Sequence, residues 1–129
     1  MYTERHSIPI SISVSASDVA DGTIIVEGLV SYADQTLVLE LQKTDNRMAK
    51  SDAVRHEFPI REIQIVEFKR RPVGSIIWLE LIGLEALSGL PGSDRNRMKL
   101  NVARKYRDRV ADLVTHVQIE LSELRLAEM

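Results

Sequence analysis

Asp112, His116 and Glu120 fall at i, i+4 and i+8 near the C-terminus of the 129-residue chain. On a helix this spacing stacks two carboxylates and an imidazole along one flank, a donor set suited to a divalent cation. A zinc site needs a further ligand from elsewhere, and sequence alone does not place His6 or His56 beside this flank. The zinc-protease pattern His-Glu-x-x-His is absent, so the expectation is no metal. None of the three His residues has a sequence neighbour that would orient it as a general base. No Gly-x-Ser-x-Gly elbow, phosphate-cradling glycine loop or dinucleotide fingerprint occurs. Gly89-Leu-Pro-Gly92 has the outline of the KH-module loop, but it follows a strand and contains Pro, so it reads as a turn. The chain has no Cys, which removes thiol catalysis, disulfides and Cys-based zinc together. These absences predict a non-enzymatic protein with no cofactor.

Charge offers a second kind of chemistry. The whole chain carries 17 Lys+Arg against 19 Asp+Glu, a net charge of -2. Residues 1–60 hold five basic and nine acidic residues, whereas 61–109 hold eleven basic and six acidic. The basic residues cluster as Lys69, Arg70 and Arg71, then Arg95, Arg97 and Lys99, then Arg104, Lys105, Arg107 and Arg109. Gathered on one surface they would make an anion patch for lipid headgroups. A solvated hairpin tip and a helix side laced with Asp108 and Asp112 would show the same composition. Apart from Tyr106, between Lys105 and Arg107, aromatic residues do not interleave with the basic ones, so no nucleic-acid partner is expected.

The elements that would position these residues follow from periodicity. Ser7 to Ser15 alternates, with Ile8, Ile10, Ile12 and Val14 on one parity, which predicts a strand with one buried face. Pro9 places this strand at an edge or lies near its start. Ser15 to Gly22 is turn chemistry, Thr23 to Tyr32 a strand with a bulge or bend at Gly28, and Gln35 to Lys43 another strand. Ala33-Asp34 joins the latter two as a hairpin. Thr44 to Asp52 reads as a loop and Val54 to Phe58 as a strand closed by Pro59. Beyond Ile60 the apolar parity slips by one residue, since Ile63 and Ile65 share one phase and Val66 and Phe68 the other. Such a slip marks a bulge or sharp bend. Pro72-Val-Gly74 turns into Ser75 to Ile82, Leu84 to Leu87 is a short piece, and Met98 to Val102 is the last strand. From Ala103 to Ala127 the period becomes 3.6, with Ala103, Tyr106, Val110, Leu113, Val114, Val117, Leu121 and Leu124 on one stripe and Asn101 as N-cap.

Hydrophobic residues at 44% and charged residues at 28% match a single soluble domain over residues 1–129. The opening residues lack an apolar run, so no secretory signal is read and a cytoplasmic location is the default. Both parities of Ser75 to Ile82 are apolar: Ile77, Leu79 and Leu81 on one, Ile76, Trp78 and Ile82 on the other. Only one can face a core. The second is covered by the chain itself or forms a subunit interface, and Ile76, Trp78 and Ile82 are the candidate interface residues.

In order and pattern the second half resembles the bacterial pleckstrin-homology-like (PH-like) domains. FPIREIQIVEFKRR reads as an apolar strand entering a basic hairpin, SIIWLELIGLEALSGLPG as the next strands and loop, and MKLNVARKYRDRVADLV as the last strand running into a closing helix. The likeness spans residues 55 to 120. It implies a mainly β fold, a barrel of two orthogonally packed antiparallel sheets with about seven strands, capped by one long amphipathic helix. The chain departs from that family by carrying its one Trp on a strand and Asp18 and Asp21 in the first connection, with no basic residue from Ser7 to Gln42. An acidic loop repels a phosphorylated headgroup, so weak or no phosphoinositide binding is expected. The leading expectation is an interaction module acting through protein contacts, as a homo-oligomer or with a partner the sequence does not name. The alternative is a peripheral anion or membrane-lipid binder using Lys69, Arg70, Arg71, Arg95, Arg97, Lys99, Arg104 and Lys105.

Overall fold

The computed structural model describes residues 6–12, 25–44 and 52–129. Among them seven strands and one long helix follow one another: β1 (Ile8–Ile12), β2 (Ile25–Ala33), β3 (Thr36–Thr44), β4 (Val54–Pro59), β5 (Ile63–Arg70), β6 (Ser75–Leu81), β7 (Arg97–Val102) and α1 (Arg107–Ala127). The mainly β architecture with a C-terminal helix is thus as the periodicity predicts. The turn chemistry at Ser15 to Gly22 and most of the Thr44 to Asp52 loop lie outside the described residues.

All strand pairs are antiparallel, in the spatial order β4-β3-β2-β1-β7-β6-β5. Hydrogen bonding therefore runs through one continuous sheet rather than two separate ones. The sheet is not closed, since β4 and β5 each have a neighbour on one side only. Its seam is narrow: β1 meets β7 through the single pair Ser11 and Asn101. β1 is central, so of the two placements that Pro9 allows, an edge strand or a position near the strand's start, the second is found: Pro9 is the second residue of its strand, opposite Leu29 of β2.

The expected alternation fills the core. Ile8, Ile10 and Ile12, then Val26, Val30 and Tyr32, then Leu37, Leu39 and Leu41, and Phe58 opposite Leu37, are buried on one face of the first four strands. Ile77, Leu79 and Leu81 of β6 and Met98, Leu100 and Val102 of β7 complete it. The β2–β3 hairpin closes through Asp34 and Gln35, both with positive φ (52° and 58°), one residue later than expected. Positive φ at both turn positions matches the right-handed twist of the flanking strands. Gly28 causes no register break with β1 or β3. A Cβ there would lie 2.1 Å from the Glu40 carbonyl oxygen, so the glycine permits a close approach of two backbones rather than a bulge. The parity slip after Ile60 is a 3-10 turn, Ile60–Glu62, followed by a register shift between Ile63 and Ile65.

The helix begins later than its apolar period. Asn101 is paired in β7 with Ile76 and is not the N-cap; Arg104–Tyr106 form a 3-10 turn, and α1 starts at Arg107 after Tyr106, with no side-chain cap. Val110, Leu113, Val114, Val117 and Leu121 are buried, with Tyr106 and Leu124 packed at the margin. α1 lies along the edge strand β5. Gln118 Nε2 donates to the Val66 carbonyl at 2.7 Å, and Arg125 Nη2 donates to the carbonyls of Gln64 at 2.7 Å and Ile63 at 3.3 Å. Residues 83–92 are turns, not the short element expected at Leu84 to Leu87. Leu87 nevertheless drops into the core at 0% exposure, held by its N–H donating to Arg95 O at 2.9 Å.

Candidate functional site

Strand pairing decides which sequence candidates meet. On the outer face of β5–β7, cross-strand rows align Lys69, Ile76 and Asn101, then Glu67, Trp78 and Lys99, with Glu80 beside Arg97. Trp78 is half-buried and flanked by cations: Lys69 Nζ lies 5.5 Å and Lys99 Nζ 5.6 Å from its ring centroid. Both ammoniums are within cation–π range. Ile76 is 8% exposed, more covered than its outward parity implies. Ile82 is 55% exposed but lies beyond the end of β6, where its N–H donates to Glu62 O at 2.9 Å. Ile76 and Trp78 share the outward parity of β6, and Ile82 follows its last residue, Leu81. A shallow groove of about 370 Å³ runs beside Trp78, lined also by Asp94, Arg97, Met98 and Lys99.

The basic clusters divide in the same way. Arg70 pairs with Ser75 and Ser75 with Val102, so the β5–β6 turn lies at the same end of the sheet as the start of the helix. Arg107 ties the two: its Nη2 donates to the carbonyls of Arg71 at 3.1 Å and Gly74 at 2.9 Å. Gly74 has φ +78°, and a Cβ there would sit 2.6 Å from Val102 O, so the turn presses directly on the end of β7. Lys69, Arg70, Arg71, Lys99, Arg104 and Lys105 are all exposed around this end. Among the described residues none of the six makes an ion pair with a carboxylate. Arg95 and Arg97 belong to the other end. Arg97 Nε is 2.8 Å from Glu80 Oε1, and Arg95 holds a positive φ of 59° in the turn before β7.

Val73 is a residue that sequence reading passed over. It stands at the tip of the β5–β6 turn with 87% of its surface exposed, between the paired arginines and Gly74. The signal was present as a large apolar residue at the centre of a Pro-x-Gly turn, flanked by cations. Composition shows Arg107 as charge alone, since its clamping role depends on a contact across 33 residues.

The helical flank forms a structural network. Tyr32, at 0% exposure, donates from its hydroxyl to Glu120 Oε2 at 2.8 Å. His116 Nε2 lies 3.3 Å from Glu120 Oε1, and its ring meets Tyr32 edge-on at 5.6 Å. The network fastens α1 to β2. Among the described residues no group of three or more His, Asp and Glu is arranged to hold a metal ion. A second groove, of about 480 Å³, crosses the outer face of β1–β3 beside Glu27, Leu29, Glu40 and Gln42. Glu40 there is engaged by Arg55 at 3.4 Å. No helix of the described residues is long and apolar enough to cross a membrane. Comparison with known proteins returns no family model, no curated protein and no solved structure that matches the chain.

Proposed function

We propose that the chain is a non-enzymatic PH-like interaction module that works through protein contacts, self-association foremost, on the outer face of β5–β7. The observation that carries this reading is Trp78, half-buried on a solvent-facing parity with Ile76 beside it. A ring already packed on its strands offers a partner a rigid apolar surface at small entropic cost. The PH-like assignment is supported by the strand order and by the narrow seam at Ser11 and Asn101, which divides a four-stranded half from a three-stranded one. In this reading the two halves pack across each other and α1 covers one open end. Light scattering at high micromolar concentration tests self-association. Wild type is expected above monomer mass, and Trp78→Glu, with its circular dichroism unchanged, is expected at lower mass. A monomeric wild type, or a folded variant with the wild-type mass, overturns the reading.

A second reading is favoured by a separate observation, the clamp from Arg107 to Arg71 and Gly74. It brings the basic turn and the basic helix start into one surface, suited to an anionic partner. Salt separates the two readings, because surface charge attraction fades within a Debye length of about 8 Å at physiological ionic strength while apolar association does not.

A further inference from the structure

We infer that the β5–β6 turn is a membrane-docking tip, with Val73 entering the interface of an anionic bilayer while the surrounding cations engage lipid headgroups. The inference goes beyond self-association and rests on the second reading, that this end of the molecule takes an anion. Val73 is 87% exposed at the apex of a turn, and behind it stand Lys69, Arg70, Arg71, Lys99, Arg104 and Lys105, unneutralised among the described residues. Segments 68–79 and 95–107 contain no Asp or Glu.

Shape selects the occupant. A convex turn presenting one apolar side chain offers a rigid protein far less than the ~800 Å² per partner of a stable interface. A bilayer needs no complementary pocket, since each cation near an anionic surface adds attraction and the apolar tip adds burial. The clamp supplies the rigidity that such a tip needs. Arg107 holds the Arg71 and Gly74 carbonyls, so the turn reaches the surface with its backbone already ordered. The helix supplies an independent argument. Arg104, Lys105 and Arg107 crowd the N-terminal end of α1, where the helix dipole disfavours positive charge. Arg107 is held there by its clamp and Lys105 by the Tyr106 ring at 5.1 Å; Arg104 has neither contact, and an anionic surface outside the molecule suits it there.

Co-sedimentation of the full chain with vesicles tests the proposal, using phosphatidylglycerol mixed into phosphatidylcholine, phosphatidylcholine alone, and inorganic polyphosphate as a soluble competitor. Binding is expected on the mixed vesicles only, weakening by ~10-fold or more as salt rises from about 50 to 200 mM. Arg70→Glu with Arg71→Glu is expected to abolish it. Val73→Asp is expected to weaken it by ~10-fold or more, and Val73→Trp to bind with a blue-shifted emission from residue 73, read in a Trp78→Phe background. Polyphosphate binding without vesicle binding leaves the anion reading standing and overturns the membrane tip. Loss of both overturns the anion reading as well. Vesicle binding unchanged in folded Val73→Asp overturns insertion, and arginine reversals that lower only the oligomer mass make the tip a protein contact.

Discussion

Two glycines show how residue-scale geometry converts into expected stability. At Gly28 a Cβ would fall 2.1 Å from Glu40 O and 2.9 Å from Leu41 Cδ2. The first of these is backbone in the middle of a paired strand and has no rotamer to escape into. Gly28→Ala is expected to cost about 2–3 kcal/mol, at the upper end of overpacking penalties. At Gly83 the added Cβ would meet only Ala86 Cβ at 3.6 Å, an ordinary contact. Gly83→Ala is expected to be neutral or to stabilise by up to about 1 kcal/mol through the unfolded chain. Urea unfolding of the pair measures both, and equal midpoints would show that the close approach at Gly28 is not a constraint. Residue-scale legibility divides along the same line. That Ile77, Leu79 and Leu81 are core follows from a period of two and needs no partner. That Trp78 lies between Lys69 and Lys99 requires cross-strand register, which no local pattern encodes. Parity alone groups Ile82 with Ile76 and Trp78, and parity stops being a guide where the strand ends at Leu81.

At the scale of elements, the transitions were less legible than the elements. The 3.6 period begins at Ala103, yet Val102 is held by Ser75 in the ladder and the chain spends Arg104–Tyr106 in a 3-10 turn. Periodicity reports which side is buried, and a tight turn that keeps the same side buried leaves no trace in it. The bulge after Ile60 was legible for the converse reason, since it changes the side. How α1 protects β5 was not legible, because Gln118 and Arg125 read as ordinary polar surface. Seven residues apart and therefore on one face of the helix, they cover carbonyls of an edge strand otherwise open to pairing. Gln118→Ala combined with Arg125→Ala is expected to cost about 1–2 kcal/mol. Amide exchange should quicken in β5 and remain at wild-type rates in β2 and β3. Uniform acceleration through the sheet would mean that the two side chains support global stability and not this edge.

For the whole molecule, the legible quantity was uneven charge and the illegible one its placement. Residues 61–109 carry an excess of basic residues, but composition does not separate the Arg95 and Arg97 end from the Lys69 to Arg71 end. The antiparallel order does so, by folding β5–β6 and β7–α1 connections onto one pole. Electrostatics then sets stability against docking. Arg104 lies just before α1, exposed, in a helix start with no side-chain cap and with only Asp108 as an acid in the first turn. A carboxylate near a helix N-terminus contributes about 0.3–1 kcal/mol, and the same field opposes a cation. Relief of repulsion from Lys105 and Arg107 acts in the same direction. Arg104→Glu is therefore expected to raise the melting temperature by about 1–4 °C, a gain that added salt should erode as the charges are screened. The same variant should bind anionic vesicles more weakly than wild type. Calorimetry at low and high salt, run beside co-sedimentation, reads both quantities on one sample. A less stable Arg104→Glu would show that the cationic pole supports the fold, and the case for an external anion drawn from the helix dipole would fall with it.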